Sequence, residues 1–183
     1  MTAVATSAYF DLSGAGRDTL NFATLVSNST VLGGEDSDVV SLSGANNSLI
    51  LNQVSGDSLF SGSGADSLFF TGSAASSDYV FAGDGNDSIV FAATASQGAN
   101  SIDMGLGADS VRFTTGTAGD SVYVSNATVT GNKTVIFESS VAGTTIVGGA
   151  GLDSVVFQGA LSGVSSIQTN ADNDSVLFLD AAS

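Results

Sequence analysis

Aspartate is the one abundant reactive group in this chain, and it recurs at a steady interval. Sixteen Asp stand against two Glu. Short carboxylates can ligate a hard cation, cap backbone N–H groups, or work in pairs as general acid and base. One column runs Asp18, Asp38, Asp57, Asp78, Asn100, Asp120, Thr144 and Ser165, with steps of 20, 19, 21, 22, 20, 24 and 21 residues. A second runs Ser29, Asn47, Asp66, Asp87, Asp109, Asn132, Asp153 and Asp174, with steps of 18, 19, 21, 22, 23, 21 and 21. A column of carboxylates has a cost. Two of them stacked about 4.8 Å apart repel by roughly 3 to 4 kcal/mol at an effective dielectric near 20. Something has to neutralise them.

The rest of the composition removes most other chemistry. With no Cys and no His there is no disulfide, thiolate zinc site, Cys nucleophile or imidazole base. Arg17, Arg112 and Lys133 are the only basic residues, and a net charge of −15 argues against nucleic acid and anionic membrane as partners. Cations are the expected partners. A glycosidase built on paired Asp is disfavoured because every clustered Asp also has a place in the period. The chain reads as a non-enzyme. Ice binding needs regular outward Thr arrays, whereas Thr is scattered here, as at Thr114-Thr115 and Thr128 to Thr130. Asp11, Asp103, Glu138 and Asp180 fall outside the columns and read as surface charges.

The elements that would hold the columns follow from the period. About 21 residues with two strands is one coil of a flattened parallel β-solenoid, and about eight coils fill residues 14–178, with 1–13 a first strand or extension and 179–183 a tail. The expected fold is one all-β domain over 1–183 with essentially no helix. Column residues open the pattern D-S-Φ-x-F, as in Asp66-Ser67-Leu68-Phe69-Phe70, Asp87-Ser88-Ile89-Val90-Phe91, Asp109-Ser110-Val111-Arg112-Phe113, Asp153-Ser154-Val155-Val156-Phe157 and Asp174-Ser175-Val176-Leu177-Phe178. Side chains alternate faces along a strand, so the third and fifth positions share the core face. Leu20 and Phe22, Val40 and Leu42, Leu49 and Leu51, Ile102 and Met104, Val122 and Val124, and Val135 and Phe137 fit the same register. Tyr79 and Phe81 flank inward Val80 and are expected to face out, with Phe60 and Phe69. The absence of Pro suits a chain whose strands are nearly all interior. The gap from the first column to the second is short and the return gap longer, so one edge is expected to be tight and the other loose.

Glycines punctuate the columns. Gly148-Gly149-Ala150-Gly151-Leu152-Asp153-Ser154-Val155-Val156 matches G-G-x-G-x-D-x-U-x in full. Gly62–Asp66, Gly83–Asp87, Gly105–Asp109 and Gly14–Asp18 lack only the first Gly, while Gly33–Asp38 and Asn170–Asp174 replace Gly by Asp or Asn. These seven segments resemble the RTX nonapeptide repeats, which build calcium-binding parallel β-rolls. The resemblance implies Ca²⁺ between equivalent loops of adjacent coils, at Asp66/Asp87, Asp87/Asp109, Asp153/Asp174 and Asp18/Asp38. The ligand set it implies is Gly62, Gly64, Asp66, Gly83, Asp84, Gly85, Asp87, Gly105, Gly107, Asp109, Gly149, Gly151, Asp153, Asp172, Asp174, Asp18, Asp36 and Asp38. The alternative for the same loops is tight turns in which Asp caps N–H groups without metal. At Thr130-Gly131-Asn132-Lys133-Thr134 the motif fails and the ion column is expected to be interrupted. There Lys133 is either a tethered replacement cation or an ordinary surface charge.

Neither end offers an amphipathic helix or charged cap, and open ends of a repeating coil are complementary to one another. A head-to-tail contact that does not close gives a filament. The expected function is therefore a self-assembling extracellular fibre or surface layer, a calcium-stabilised homopolymer. The alternative is a monomeric calcium-binding adhesin or a module binding cell-surface polysaccharide. The N-terminus has no basic n-region or apolar run, so neither a Sec signal nor membrane insertion is expected. The RTX resemblance implies type I export, read from a C-terminal segment such as Leu177–Ser183.

Overall fold

In the computed structural model the chain winds into a flattened parallel β-solenoid. It describes residues 5–22, 26–34, 36–52, 56–72, 77–92, 97–123, 131–163 and 165–179. Among them there is no helix. One sheet, here the phenylalanine sheet, stacks nine strands: Tyr9–Leu12, Thr30–Gly33, Ser48–Asn52, Ser67–Thr71, Ser88–Phe91, Ser110–Phe113, Thr134–Phe137, Ser154–Phe157 and Ser175–Phe178. The facing sheet stacks eight: Thr19–Asn21, Val39–Ser41, Ser58–Phe60, Tyr79–Phe81, Ser101–Asp103, Ser121–Tyr123, Thr145–Val147 and Ser166–Gln168. Each strand pairs in parallel with its counterpart one coil away, as Ser88↔Ser110 and Phe91↔Phe113 do.

The alternation read from the sequence sets the core. Leu68 and Phe70, Ile89 and Phe91, Val111 and Phe113, Val135 and Phe137, and Val155 and Phe157 are buried, as are Val40, Leu42, Leu49, Leu51, Ile102, Met104 and Val122. Leu20 and Phe22 are only partly buried in the first coil, and Val124 lies outside the described residues. The registered phenylalanines form a ladder. Phe70, Phe91, Phe113, Phe137, Phe157 and Phe178 follow one another with ring centroids 4.3 to 5.1 Å apart and planes within 5 to 12°. The coil repeat forces this parallel offset stacking, because identical side chains in register have nowhere else to go. Tyr79 and Phe69 face outward and are 40% and 38% exposed. Phe60 and Phe81 are half-buried on the same outer face as Tyr79, and the Phe60 ring lies 5.7 Å from that of Tyr79.

The edges are less regular than the sheets. A third, two-residue strip runs Gln97–Gly98, Thr117–Ala118, Val141–Ala142 and Leu161–Ser162 on the edge leaving the phenylalanine sheet, here the wide edge. In the first coils the strip Ala5–Thr6 and Val26–Ser27 lies on the other edge instead. The Gly/Asp motifs change sides as well. Those ending at Asp66, Asp87, Asp109, Asp153 and Asp174 lie on the narrow edge entering the phenylalanine sheet, while those ending at Asp18 and Asp38 lie on the wide edge. The seven motifs are therefore two stacks, of five and two. No helix of the described residues is long and apolar enough to cross a membrane.

Candidate cation site on the narrow edge

The column residues point inward, on the same strand face as the core. Asp38, Asp57, Asp66, Asp78, Asp87, Asp109, Asp120 and Asp153 are all buried. Each lies just before its strand, so the alternation that buries the third and fifth positions buries it too. Their first task is to cap backbone. Asp87 Oδ1 accepts the N–H of Asp66 at 2.8 Å, Asp109 Oδ1 that of Asp87 at 2.7 Å, and Asp174 Oδ1 that of Asp153 at 3.0 Å. On the wide edge Asp38 Oδ1 accepts from Asp18 at 2.9 Å and Asp78 Oδ1 from Asp57 at 3.0 Å. The capping role weighed as the alternative to metal is thus present on both edges. It uses one oxygen of each carboxylate.

The second oxygen separates the sites. Asp153 Oδ2 accepts the N–H of Gly149 at 3.2 Å, and Asp38 Oδ2 that of Gly34 at 3.2 Å. Asp66 Oδ2 and Asp87 Oδ2 are buried with no hydrogen-bond partner. They occupy successive coils, since Ser67 pairs with Ser88. Burial pushes the Asp66 carboxyl up to about 6 against the pull of the Asn47 N–H. Burial pushes Asp87 up to about 7, with the Asp66 N–H lowering it, and Asp109 and Asp66 adding repulsion.

Above this pair the loops are stacked so closely that only glycine fits. Gly62 and Gly83 O accept the N–H groups of Asp84 and Leu106, at 3.0 and 2.8 Å. A Cβ on Gly105 would lie 1.9 Å from Gly83 O, and one on Gly107 1.6 Å from Gly85 O. Gly107 also has φ +115°, which L side chains rarely adopt. Asp84, Asp36 and Asp172 are exposed on the outer side of these loops. Asp36 and Asp172 cap Gly16 and Gly151 N–H at 2.7 and 3.0 Å. Asp84 makes its loop contacts through its backbone.

Coil six shows what the narrow edge accepts. Thr134 pairs with Ser110, so the residue stacked on Asp109 is Lys133, and Asn132 lies one position earlier, its Oδ1 accepting the Leu152 N–H at 3.1 Å. Lys133 is 1% exposed. Its ammonium donates to Gly105 O at 2.8 Å and pairs with Asp109 Oδ2. Of the two readings of Lys133, the tethered cation is the one the geometry bears out. The acceptors it finds are the motif carboxylate and the carbonyl of the motif's first glycine. The same pair of groups recurs as Asp66 with Gly62 and Asp87 with Gly83.

Of the pairs implied by the resemblance, Asp66/Asp87 keeps two unpartnered oxygens. Asp87/Asp109 is half-filled by Lys133, and in the other two pairs Asp153 and Asp38 have spent both oxygens on N–H groups. Among the described residues no three acidic side chains converge. A Ca²⁺ ion at Asp66/Asp87 would therefore draw its remaining ligands from backbone carbonyls. Among the non-column charges, Asp11 is exposed and the Ser13 hydroxyl and N–H hold it below the usual range. Glu138 accepts from Arg112 Nε at 2.7 Å on the outer face. Asp180 lies outside the described residues.

Fold and site together define a parallel β-solenoid with inward aspartate ladders. Comparison with protein-family models, with curated proteins and with solved structures gave no match.

Proposed function

We propose that the chain is a structural subunit that extends by stacking coil on coil, head to tail, with Ca²⁺ filling the narrow edge at Asp66/Asp87. The observation that carries the stacking is that each end coil keeps the register of the interior coils and presents what its opposite lacks. Phe178 continues the ring ladder but is 50% exposed. Leu12 occupies the foot of the same row, through its pairing with Gly33 and then Leu51. On the wide edge the column N–H groups of Asp18, Asp38, Asp57, Asp78, Asn100 and Thr144 each donate to a side-chain oxygen of the next coil, and Asp18 is the first oxygen of that column. Ser165 is the last N–H of the same column. A second copy placed on the Phe178 end would bring Leu12 over Phe178 and Asp18 over Ser165, repeating the contacts made inside the chain.

The calcium reading rests on the unpartnered Asp66 and Asp87 oxygens and on the ammonium found in the equivalent position at Asp109. The ion would supply charge neutralisation between coils. Export to a calcium-rich exterior is part of the same proposal, because an acidic chain without cations is kept open by self-repulsion. Negative-stain microscopy with and without millimolar calcium tests it. Uniform fibres that require calcium support the reading. A monodisperse monomer in both conditions defeats it and favours the monomeric calcium-binding adhesin or polysaccharide-binding module.

A further inference from the structure

The wide edge carries its own ladder of buried carboxylates, and it differs chemically from the narrow one. Asp78 and Asp120 are each 1% exposed, and the Oδ2 of each is buried without a partner. Their Oδ1 atoms are fixed: Asp78 caps the N–H of Asp57 at 3.0 Å and Asp120 caps that of Asn100 at 2.9 Å. Asn100 lies between them in the stack and caps the N–H of Asp78 through its amide oxygen at 3.1 Å. Further along, Ser165 caps Thr144 with a hydroxyl. The column therefore accepts neutral side chains in the same role. What it requires is an oxygen acceptor, not a negative charge.

No basic side chain among the described residues of this edge balances a charge. Asp78 is faced by the carboxylates of Asp57 and Asp120, and no basic side chain acts on either Asp78 or Asp120. The nearby strands of the phenylalanine sheet turn Ile89, Phe91, Val111 and Phe113 inward, all apolar and buried. Among the described residues of this edge, three loop carbonyls accept backbone N–H groups. Gly98 O accepts from Ser77, Ala118 O from Ala99 and Ala142 O from Gly119, at 3.1, 3.0 and 2.9 Å. No Gly-x-Gly loop precedes Asp78 or Asp120.

We propose that the wide-edge column is a proton-binding ladder, with Asp78 and Asp120 staying neutral carboxylic acids in the folded protein under mildly acidic conditions that ionise an ordinary Asp. The two edges then take different ions, a proton on one and a metal ion on the other. A neutral acid standing where Asn100 stands preserves the Oδ1 cap and removes the buried charge, which is the costly part of the arrangement. Burial pushes Asp78 up to about 6, against the Asp57 and Gly56 N–H groups, with Asp120 adding to the rise; burial likewise raises Asp120, against Asn100.

The sign follows from linkage. A carboxyl raised on folding makes the native state bind more protons than the unfolded chain, so its contribution is complete below the unfolded value near 4. It is lost as pH rises through the folded value, about 6 for Asp78.

The test is site-resolved ¹³C carboxyl NMR of the whole chain with labelled Asp, assigned with D78N and D120N, beside urea unfolding in chelator at pH 4 and pH 7. Expected are a midpoint for Asp78 near pH 6, about two units above an ordinary Asp, and a wild-type urea midpoint that falls from pH 4 to pH 7. D78N and D120N should each make that fall smaller without abolishing it, because buried Asp57, Asp66 and Asp87 are raised as well, while leaving the pH 4 midpoint in place. An Asp78 carbon titrating near pH 4 overturns the proposal, and so does a D78N or D120N variant less stable than wild type at pH 7. If either variant fails to fold, the wild-type titration, assigned from the other, decides. Calcium is then added to the D66N/D87N double variant at pH 7. Stabilisation of that variant that disappears when D78N or D120N is added would show metal on the wide edge and also overturn the proposal, and no response is expected. Loss of the calcium reading on the narrow edge would leave the titration result standing, so the two failures are separable.

Discussion

Lys133 inserts a buried ammonium between Asp109 Oδ2 and Gly105 O, one coil above the carboxylate it neutralises. Both side chains are fully buried. Removing one member of such a pair leaves an uncompensated charge, which typically costs about 3 to 5 kcal/mol. Lys133→Met should therefore lower stability by an amount of that order in chelator. Because the vacated position keeps the Asp109 carboxylate and the Gly105 carbonyl, millimolar calcium should recover much of the loss. Urea midpoints for wild type and variant, with and without calcium, check both halves. An equal loss in both conditions would mean that the position does not take an ion.

The sequence located this residue only in part, and the reason is physical. Asn132 has the side-chain chemistry of a column position, so composition favours it. The core pair Val135 and Phe137, however, already implies that Thr134 is the outward Ser/Thr and Lys133 the inward column residue. Strand register is the stronger signal, because a one-residue slip would turn the whole apolar set to solvent. The sheets were legible for the same reason. The short strips such as Thr117–Ala118 were not, since two residues carry no periodicity to read. Nor could a repeat period alone reveal that the Gly/Asp loops change edges after Asp38, because both edges share it.

Asp87→Asn should abolish the response of the wild-type chain to calcium while preserving the fold. The amide keeps an oxygen to cap the Asp66 N–H, now made at 2.8 Å, but removes the charge facing the cation. Burial already raises Asp87 to about 7, so below that value the wild type should also bind calcium less well as protons compete. Isothermal titration of calcium at pH 6 and pH 8 is the measurement, with weaker binding at pH 6 in the wild type and little binding by D87N at either pH.

Glycine requirements should differ along the chain in a way that composition cannot show. Gly107→Ala forces a Cβ to 1.6 Å from Gly85 O at φ +115° and should cost several kcal/mol, on the order of a disrupted core position. Gly14→Ala meets no atom within 4 Å and has no positive φ. It should change stability by less than about 0.5 kcal/mol, as open surface substitutions do. Chemical denaturation of the two variants under one set of conditions tests the contrast.

The ring ladder separates folding from assembly. Phe113 is fully buried between Phe91 and Phe137, with centroids at 5.0 and 4.9 Å, so Phe113→Ala should cost about 3 to 5 kcal/mol. Phe178 stacks on one neighbour only and leaves its other side open, so Phe178→Asp should cost the subunit far less. It would, however, set a charge against Leu12 of a second copy, where the proposed contact is apolar. Fibres should then be lost from a chain that still shows wild-type β circular dichroism and a near wild-type unfolding midpoint. Fibres formed by F178D at wild-type length would show that subunits do not stack through this end. A shift in the unfolding midpoint as large as that of Phe113→Ala would show that the ring supports the fold itself.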